Sequence, residues 1–448
     1  MKNVDLINGP VDSTLRRFTF PLTISFLVHI LYSWVDMYFV SKLGHEAIAA
    51  VGVSEQILFF AFGIGMGFGV GTGVIVSRRV GEKNFEEAGK TAVQGLFFIL
   101  VFAIIIAGVL YFSLENILNV FNLEKGVKGF AYDYLFLTTL GLPFSYMTFQ
   151  INSMMRSAGN TFIPMILLIS SNVLNAILTP LFVFGIGIFP QWGVFGAAFA
   201  TLIAQVLGCV FALYVLLKYF DKIPIKLKNF RPNISLIHKI LKLGVPASTQ
   251  IVIISFNRIA LSWFANYYGT VILTTYMLGL KVDMFVFMSI FAVGAAIEVI
   301  TGQNLGAKKI DRIFAYFKSA VKQISGLIIF LGVIIFFFGK HFALVFSDNP
   351  EIIDNVAYYL KINSFSYLFF AVGIFAIRVI SGAGDYIRSL ILVSIVLYGI
   401  QIPLIYMLSI FFKFGYEGIW YGIFISQICF SIIGYLSLRR KRWIKMNL

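Results

Sequence analysis

The sequence predicts an all-α polytopic membrane protein, with twelve transmembrane helices in two six-helix lobes related by a pseudo-two-fold axis along the membrane normal. Three observations carry this. The 448 residues are 59% hydrophobic, 17% aromatic and only 12% charged, whereas soluble domains run at roughly 45–50% apolar and 25% charged. Apolar runs long enough to cross a hydrocarbon core of ~30 Å, at ~1.5 Å per helical residue, occur twelve times. The second half of the chain repeats the first at one fixed spacing.

In order, the runs cover 17–41, 47–77, 91–114, 128–155, 161–188 and 193–217, then 244–266, 271–301, 319–346, 356–377, 387–412 and 417–438. Between the two sets lies the most polar stretch, with Pro224 and Pro232, so the expected domains are a lobe at 1–217, a linker at 218–243 and a lobe at 244–448. Lys and Arg crowd the loops at 78–90, 218–242, 308–322 and 378–388 and thin out in the loops between. By the positive-inside bias both termini are cytoplasmic, in accord with the basic tail Arg439 to Lys445, and the membrane is the inner membrane of a bacterium or similar cell. The net charge of +15 is thus a matter of topology, and no nucleic-acid partner is expected. The first 14 residues hold no short apolar core with a cleavage site, so the first helix itself directs insertion. Cys209 and Cys429 sit in apolar runs, which indicates neither a disulfide framework nor a metal site.

Pro21 and Pro246 stand 225 residues apart, and so do Gly44 and Gly269, Gly81 and Gly306, Tyr134 and Tyr359, Gly159 and Gly384, and Gly193 and Gly418. No gap is needed over ~170 residues, which chance does not supply at punctuating Gly and Pro positions. Six spans per unit is even, so the units share one orientation, the parallel-repeat plan of several transporters, with substrate expected in the cavity between them.

The first run, Phe20 to Gly44, carries Asp36. An ionised Asp at mid-bilayer costs at least ~2.5 kcal/mol, so it faces protein or a wet cavity; the alternative places it at the outer end of its helix, eight residues before Gly44. His29, Tyr32 and Asp36 share one helical face, and Pro21 is an entry residue or a kink. Glu55, eleven residues beyond Gly44, reaches a similar depth and either shares a proton or cation with Asp36 or caps the outer start of its helix. The glycines at 63, 67 and 71 and at 65, 69 and 73 form two small-residue ridges for close helix packing, since a nucleotide loop would need a strand before it. In the second unit Arg258 and Asp283 are expected to pair, Lys281 to face the substrate cavity, and Glu298 to stand apart near the cytoplasm. Arg156 and Arg378, near cytoplasmic helix ends, read as snorkelling cations.

Several segments together resemble the multidrug and toxic compound extrusion (MATE) transporters: VDMYFVSKLG at 35–44, SRRVGEKNFEEA at 77–88, MRSAGNTFIPM at 155–165, GVFGAAFAT at 193–201, TGQNLGAKKIDR at 301–312 and SGAGDYIRS at 381–389. The resemblance covers the whole chain and is nearest to the DNA-damage-inducible (DinF-like) branch. It implies a V-shaped pair of lobes that exports amphipathic, cationic small organic molecules in exchange for protons or sodium ions by alternating access. A monomer among membrane lipids is expected, with no cofactor besides the coupling ion. The implied coupling residues are Tyr32 and Asp36 in the first helix, Asn175 in the fifth and Thr201 in the sixth. The family pattern Asn-x-x-x-Asp-Pro stands here as Asn175 to Pro180 with Thr179 in place of the Asp. A hydroxyl can coordinate an ion but not titrate, which makes Glu55 a candidate substitute. The alternative within the same superfamily is a flippase for a lipid-linked oligosaccharide. An enzyme is not expected, because the four histidines, at 29, 45, 238 and 341, are scattered.

Overall fold

The computed structural model describes residues 4–121, 123–226, 231–344 and 348–445; residues 227–230 of the expected linker lie outside the described residues. Among the described residues every regular element is helical. The first unit contains α1 (Val11–Ser41), α2 (His45–Gly81), α3 (Phe85–Val120), α4 (Lys125–Ser157), α5 (Phe162–Phe184) and α6 (Gly193–Tyr219). The second contains α7 (Ile234–Tyr267), α8 (Thr270–Gly306), α9 (Ile310–Leu344), α10 (Pro350–Ser364) and α11 (Tyr367–Gly382). α12 (Tyr386–Ser394) follows and runs through π-helical turns at Ile395–Gln401 and Met407–Phe411, with α13 (Ile402–Tyr406) between them; α14 (Glu417–Arg439) ends the unit.

Among the described residues ten helices are long and apolar enough to cross a membrane, and the pair α10 and α11, bent by 51° at their junction, makes eleven. α4 has the length for the twelfth span at 33 residues but is more polar, with Asp133, Gln150 and Asn152. The bend in the tenth span has a local cause. The Ser366 amide and hydroxyl both donate to the Asn363 carbonyl, at 2.8 and 2.7 Å, which closes a three-residue turn where an α-helix would bond four back.

The described residues divide into two compact units, residues 20–248 with Val4, and residues 249–445 with residues 5–19. The boundaries fall inside α1 and α7, each next to its proline, so Pro21 lies within a helix that has already run ten residues from Val11 rather than at its start. α7 likewise begins at Ile234, inside the expected linker, where the Asn233 carboxamide accepts the Leu236 amide at 3.1 Å and Pro232 precedes it.

Backbone conformation repeats with the sequence. Gly44 and Gly269 precede α2 and α8 at φ 106° and 103°, Gly159 and Gly384 stand at 92° and 93°, and Lys83 and Lys308 share the left-handed region at 59° and 58°. The motif around Gly159 and Gly384 is therefore a punctuation device. A glycine with positive φ ends one helix, and the next residue caps the following one: Asn160 accepts from the Ile163 amide at 3.0 Å, and Asp385 from the Arg388 amide at 3.2 Å.

The two glycine ridges of α2 are packing surfaces. A Cβ on Gly65 would sit 2.5 Å from the Tyr146 ring, on Gly69 2.7 Å from Phe149 and on Gly73 2.5 Å from the Ser153 hydroxyl, so this ridge lies against α4. Gly67 and Gly71 lie against residues 243–248 in the same way. Ser153 and Ser157 tighten the first contact by donating to the Gly69 and Gly73 carbonyls, at 3.0 and 2.7 Å.

Candidate functional site

Four helices of the first unit bring the expected coupling residues together. Asp36, on α1 one turn before the helix ends, is 2% exposed, so it lies in the interior of the unit and not at the outer surface. Tyr134 of α4 donates to its Oδ2 over a long 3.5 Å. Thr179 of α5 stands beside the same carboxylate and donates to the Asn175 side-chain oxygen, Oδ1, at 3.3 Å. Asn175 in turn donates through Nδ2 to the Thr201 hydroxyl of α6 at 3.1 Å, and Thr201 donates to the Ala197 carbonyl at 3.1 Å. With its hydrogen spent, Thr201 acts as the acceptor for the Tyr32 hydroxyl at 3.4 Å.

Counting hydrogens along this chain leaves one vacancy in the bonding. Every hydroxyl in it has a use, and the buried Oδ1 of Asp36 has no partner among the described residues. A buried carboxylate oxygen left unpaired is costly, and the cost is relieved when a proton binds there or when a small cation is shared with the neighbouring carbonyl and hydroxyl oxygens. Pro180 assists by position, since its missing N–H leaves the carbonyl one turn back on α5, that of Ala176 beside Asn175, without its helical donor. Glu55 is half-buried on α2, within electrostatic reach of Asp36. It cannot be a cap, because α2 starts at His45, behind Gly44, and Glu55 lies well inside it.

The second unit departs from the expected pairing. No ion pair joins Arg258 to Asp283 among the described residues. Arg258 contacts the Met284 sulfur at 3.8 Å, while Asp283, 2% exposed, turns inward and is held by Tyr367 and Tyr359 at 2.6 and 2.7 Å. Similar depth along two helices did not give similar direction. Lys281, two residues earlier on α8, is exposed. Arg378 does more than snorkel: it pairs with Glu298 at 2.9 Å, and Tyr386 donates to the other Glu298 oxygen, so the carboxylate expected to stand apart is buried and satisfied on both sides.

Sequence reading missed the tyrosines that hold the carboxylates, although Tyr134 and Tyr359 are repeat partners. It also missed a neutral counterpart of the first unit's polar chain. The 225-residue spacing carries Tyr32 onto Asn257 and Thr201 onto Ser426. Asn257 donates to the Gln401 carbonyl at 2.8 Å, and Gln401 donates to Ser426 at 2.9 Å. The same spacing carries Asn175 onto Ile400; the π-helical turn Ile395–Gln401 takes up one extra residue and brings Gln401 to that place. Among the described residues no three His, Cys, Asp or Glu side chains gather to hold a metal ion.

The MatE family model matches residues 21–181 and again 246–407, one copy in each unit. The chain is 25% identical over 448 residues to the uncharacterised transporter YisQ of Bacillus subtilis, covering 99% of this chain and 98% of that protein. It is 23% identical over 420 residues to the multidrug export protein MepA of Staphylococcus aureus, covering 94% and 91%. Among solved structures, a superfamily transporter from Pyrococcus furiosus, described as having a binding pocket of reverse polarity, matches with a TM-score of 0.92 at 24% identity over 100% of this chain and 99% of that one. An outward-facing multidrug resistance MATE family transporter matches at 0.91 and 24%, over 98% of each chain. At that identity the likeness speaks for the fold, and the doubled sequence match, falling on two units with the same helix punctuation, settles the kinship: the chain belongs to the MatE family of multidrug and toxic compound extrusion transporters.

Proposed function

We propose that this chain is a secondary antiporter that exports amphipathic, cationic small organic molecules in exchange for protons or sodium ions by alternating access. The observation that carries the reading is the unpartnered Oδ1 of buried Asp36, set in a chain of oxygen ligands from Tyr32, Asn175, Thr179 and Thr201 on three helices. Ion binding there neutralises a buried charge, and a site that spans several helices biases their arrangement, which is what coupling requires. Relatives named as multidrug export proteins support the substrate class. Within the family the DinF-like branch fits best, because an Asp follows Pro21 by fifteen residues while Ile254 occupies the position, eight residues after Pro246, where the norfloxacin-resistance branch carries a Glu. The loop charges orient both termini to the cytoplasm. Efflux from proteoliposomes under separately imposed pH and sodium gradients tests the reading: one of the two gradients drives export of an organic cation, and export that ignores both overturns it.

A further inference from the structure

Tyr134 and Tyr359 occupy the same repeat position, 225 residues apart, and each donates its hydroxyl to a buried carboxylate. The carboxylates themselves are not repeat partners. Asp36 comes from α1, the first helix of its unit, and Asp283 from α8, the second of its own. One tyrosine position thus serves two independently placed acids.

The Asp283 carboxylate has both oxygens occupied, Oδ1 by Tyr367 at 2.6 Å and Oδ2 by Tyr359 at 2.7 Å. Both are short, ordinary O–H···O hydrogen bonds, with each phenol as the donor. The groups around it are Tyr276 on its own helix, Tyr359 on α10 and Tyr367 on α11, with Arg258 of α7 acting on Tyr276 from further off. No cation pairs with it among the described residues. The remaining walls are aromatic: Trp420 packs 4.8 Å from the Tyr359 ring and 6.1 Å from the Tyr276 ring, and Phe287 6.0 Å from the Tyr367 ring. A hard metal cation takes about six or more oxygen ligands, and two carboxylate oxygens with two phenols do not supply them. A proton needs one. It forms an O–H bond to one Asp283 oxygen and cancels the carboxylate charge. The facing phenol turns about its C–O bond, from donor to acceptor, so one hydrogen bond between phenol and acid is exchanged for another and the phenol's own hydrogen leaves the carboxyl.

We propose that Asp283, clasped by Tyr359 and Tyr367, is a second proton-binding site, carried by the carboxy-terminal unit and separate from Asp36. Its role in transport rests on the antiport reading; the binding itself does not. The test is an infrared difference titration of the carboxyl stretch on the purified full-length protein in detergent, comparing wild type, Asp36→Asn, Asp283→Asn and Tyr359→Phe. Asp36→Asn retains a pH-reversible band of a protonated buried carboxyl, Asp283→Asn loses that band, and Tyr359→Phe shifts its frequency and midpoint. Should Asp283→Asn fail to fold, Tyr359→Phe decides alone, because it keeps both the acid and the ring against Trp420. An Asp283→Asn spectrum that superimposes on wild type, or a Tyr359→Phe band that does not move, overturns the proposal. If the bands behave as stated but no gradient drives efflux, the antiport reading fails and the site stands; the reverse pattern removes the site and leaves the antiport reading.

Discussion

Replacing Asp36 by Asn isolates the charge at the first site from its shape. The carboxamide fills the same volume, its carbonyl still accepts the Tyr134 hydroxyl, and its Nδ2 falls where Oδ1 already lacks a partner. An unpaired buried amide costs about 1–3 kcal/mol, but the change also removes an unpaired buried charge, whose penalty is several kcal/mol. The second term is the larger, so the variant folds and inserts with thermal stability no lower than that of wild type. Coupling is another matter. Couplings between sites are commonly worth about 1–3 kcal/mol, a factor of about 5–150, and a side chain that can neither gain nor lose the ion forfeits all of it. Gradient-driven efflux of an organic cation from proteoliposomes therefore falls by about 100-fold, towards the rate without a gradient, while binding of the same compound to the detergent-solubilised variant persists. Wild-type efflux by Asp36→Asn at normal protein density in the liposomes would refute the reasoning and move the coupling site elsewhere.

The other expectations concern packing, charge and topology. Gly65→Ala puts a Cβ 2.5 Å from the Tyr146 ring, whereas a Cβ on Gly52 of the same helix meets nothing within 4 Å. Melting in detergent should show a loss of about 1–3 kcal/mol for the first and no loss, or a gain of up to about 1 kcal/mol, for the second; equal melting would mean that α2 and α4 do not pack through this ridge. Arg378→Ala strands Glu298, which is 5% exposed, and costs about 3 kcal/mol, the low end for breaking a buried pair because the Arg378 side chain is 30% exposed. Adding Glu298→Gln should recover part of that loss, and a double variant no more stable than Arg378→Ala would show the pair to be inert. In a background without Cys209 and Cys429, a cysteine at Glu86 should react with an impermeant reagent only from the cytoplasm, and one at Asp354 only from outside, where the opposite pattern would invert the termini.

Much of the first site is legible in the sequence because its information is local. A carboxylate in an apolar run, a tyrosine four residues before it, and Asn175 four residues before Thr179 and five before Pro180 are all spacings along single helices. The family resemblance supplies which helices meet. The unpartnered state of Oδ1 is not legible, since it depends on how each hydroxyl spends its hydrogen across α1, α4, α5 and α6.

The second unit shows where one-dimensional reasoning goes wrong and how it can be put right. Arg258 lies eleven residues before Gly269 and Asp283 fourteen after it, so the two share a depth, but depth is only one coordinate of a helix residue; the other is the angle around its axis. Tyr276, Gly279, Asp283 and Phe287 follow one another at steps of three, four and four, the signature of a single face, and all four are buried. Lys281, two residues from Asp283, lies about 200° around the helix and is exposed. A carboxylate that keeps step with an aromatic face belongs with that face, and its partners are then donors from the helices packed there. The repeat names one of them in advance, since Tyr134 already holds the first acid and Tyr359 is its copy. The two units therefore share the backbone and the tyrosine, while their buried acids stand on different helices. Repeat spacing in this chain predicts the positions that donate hydrogen bonds better than the positions that carry charge.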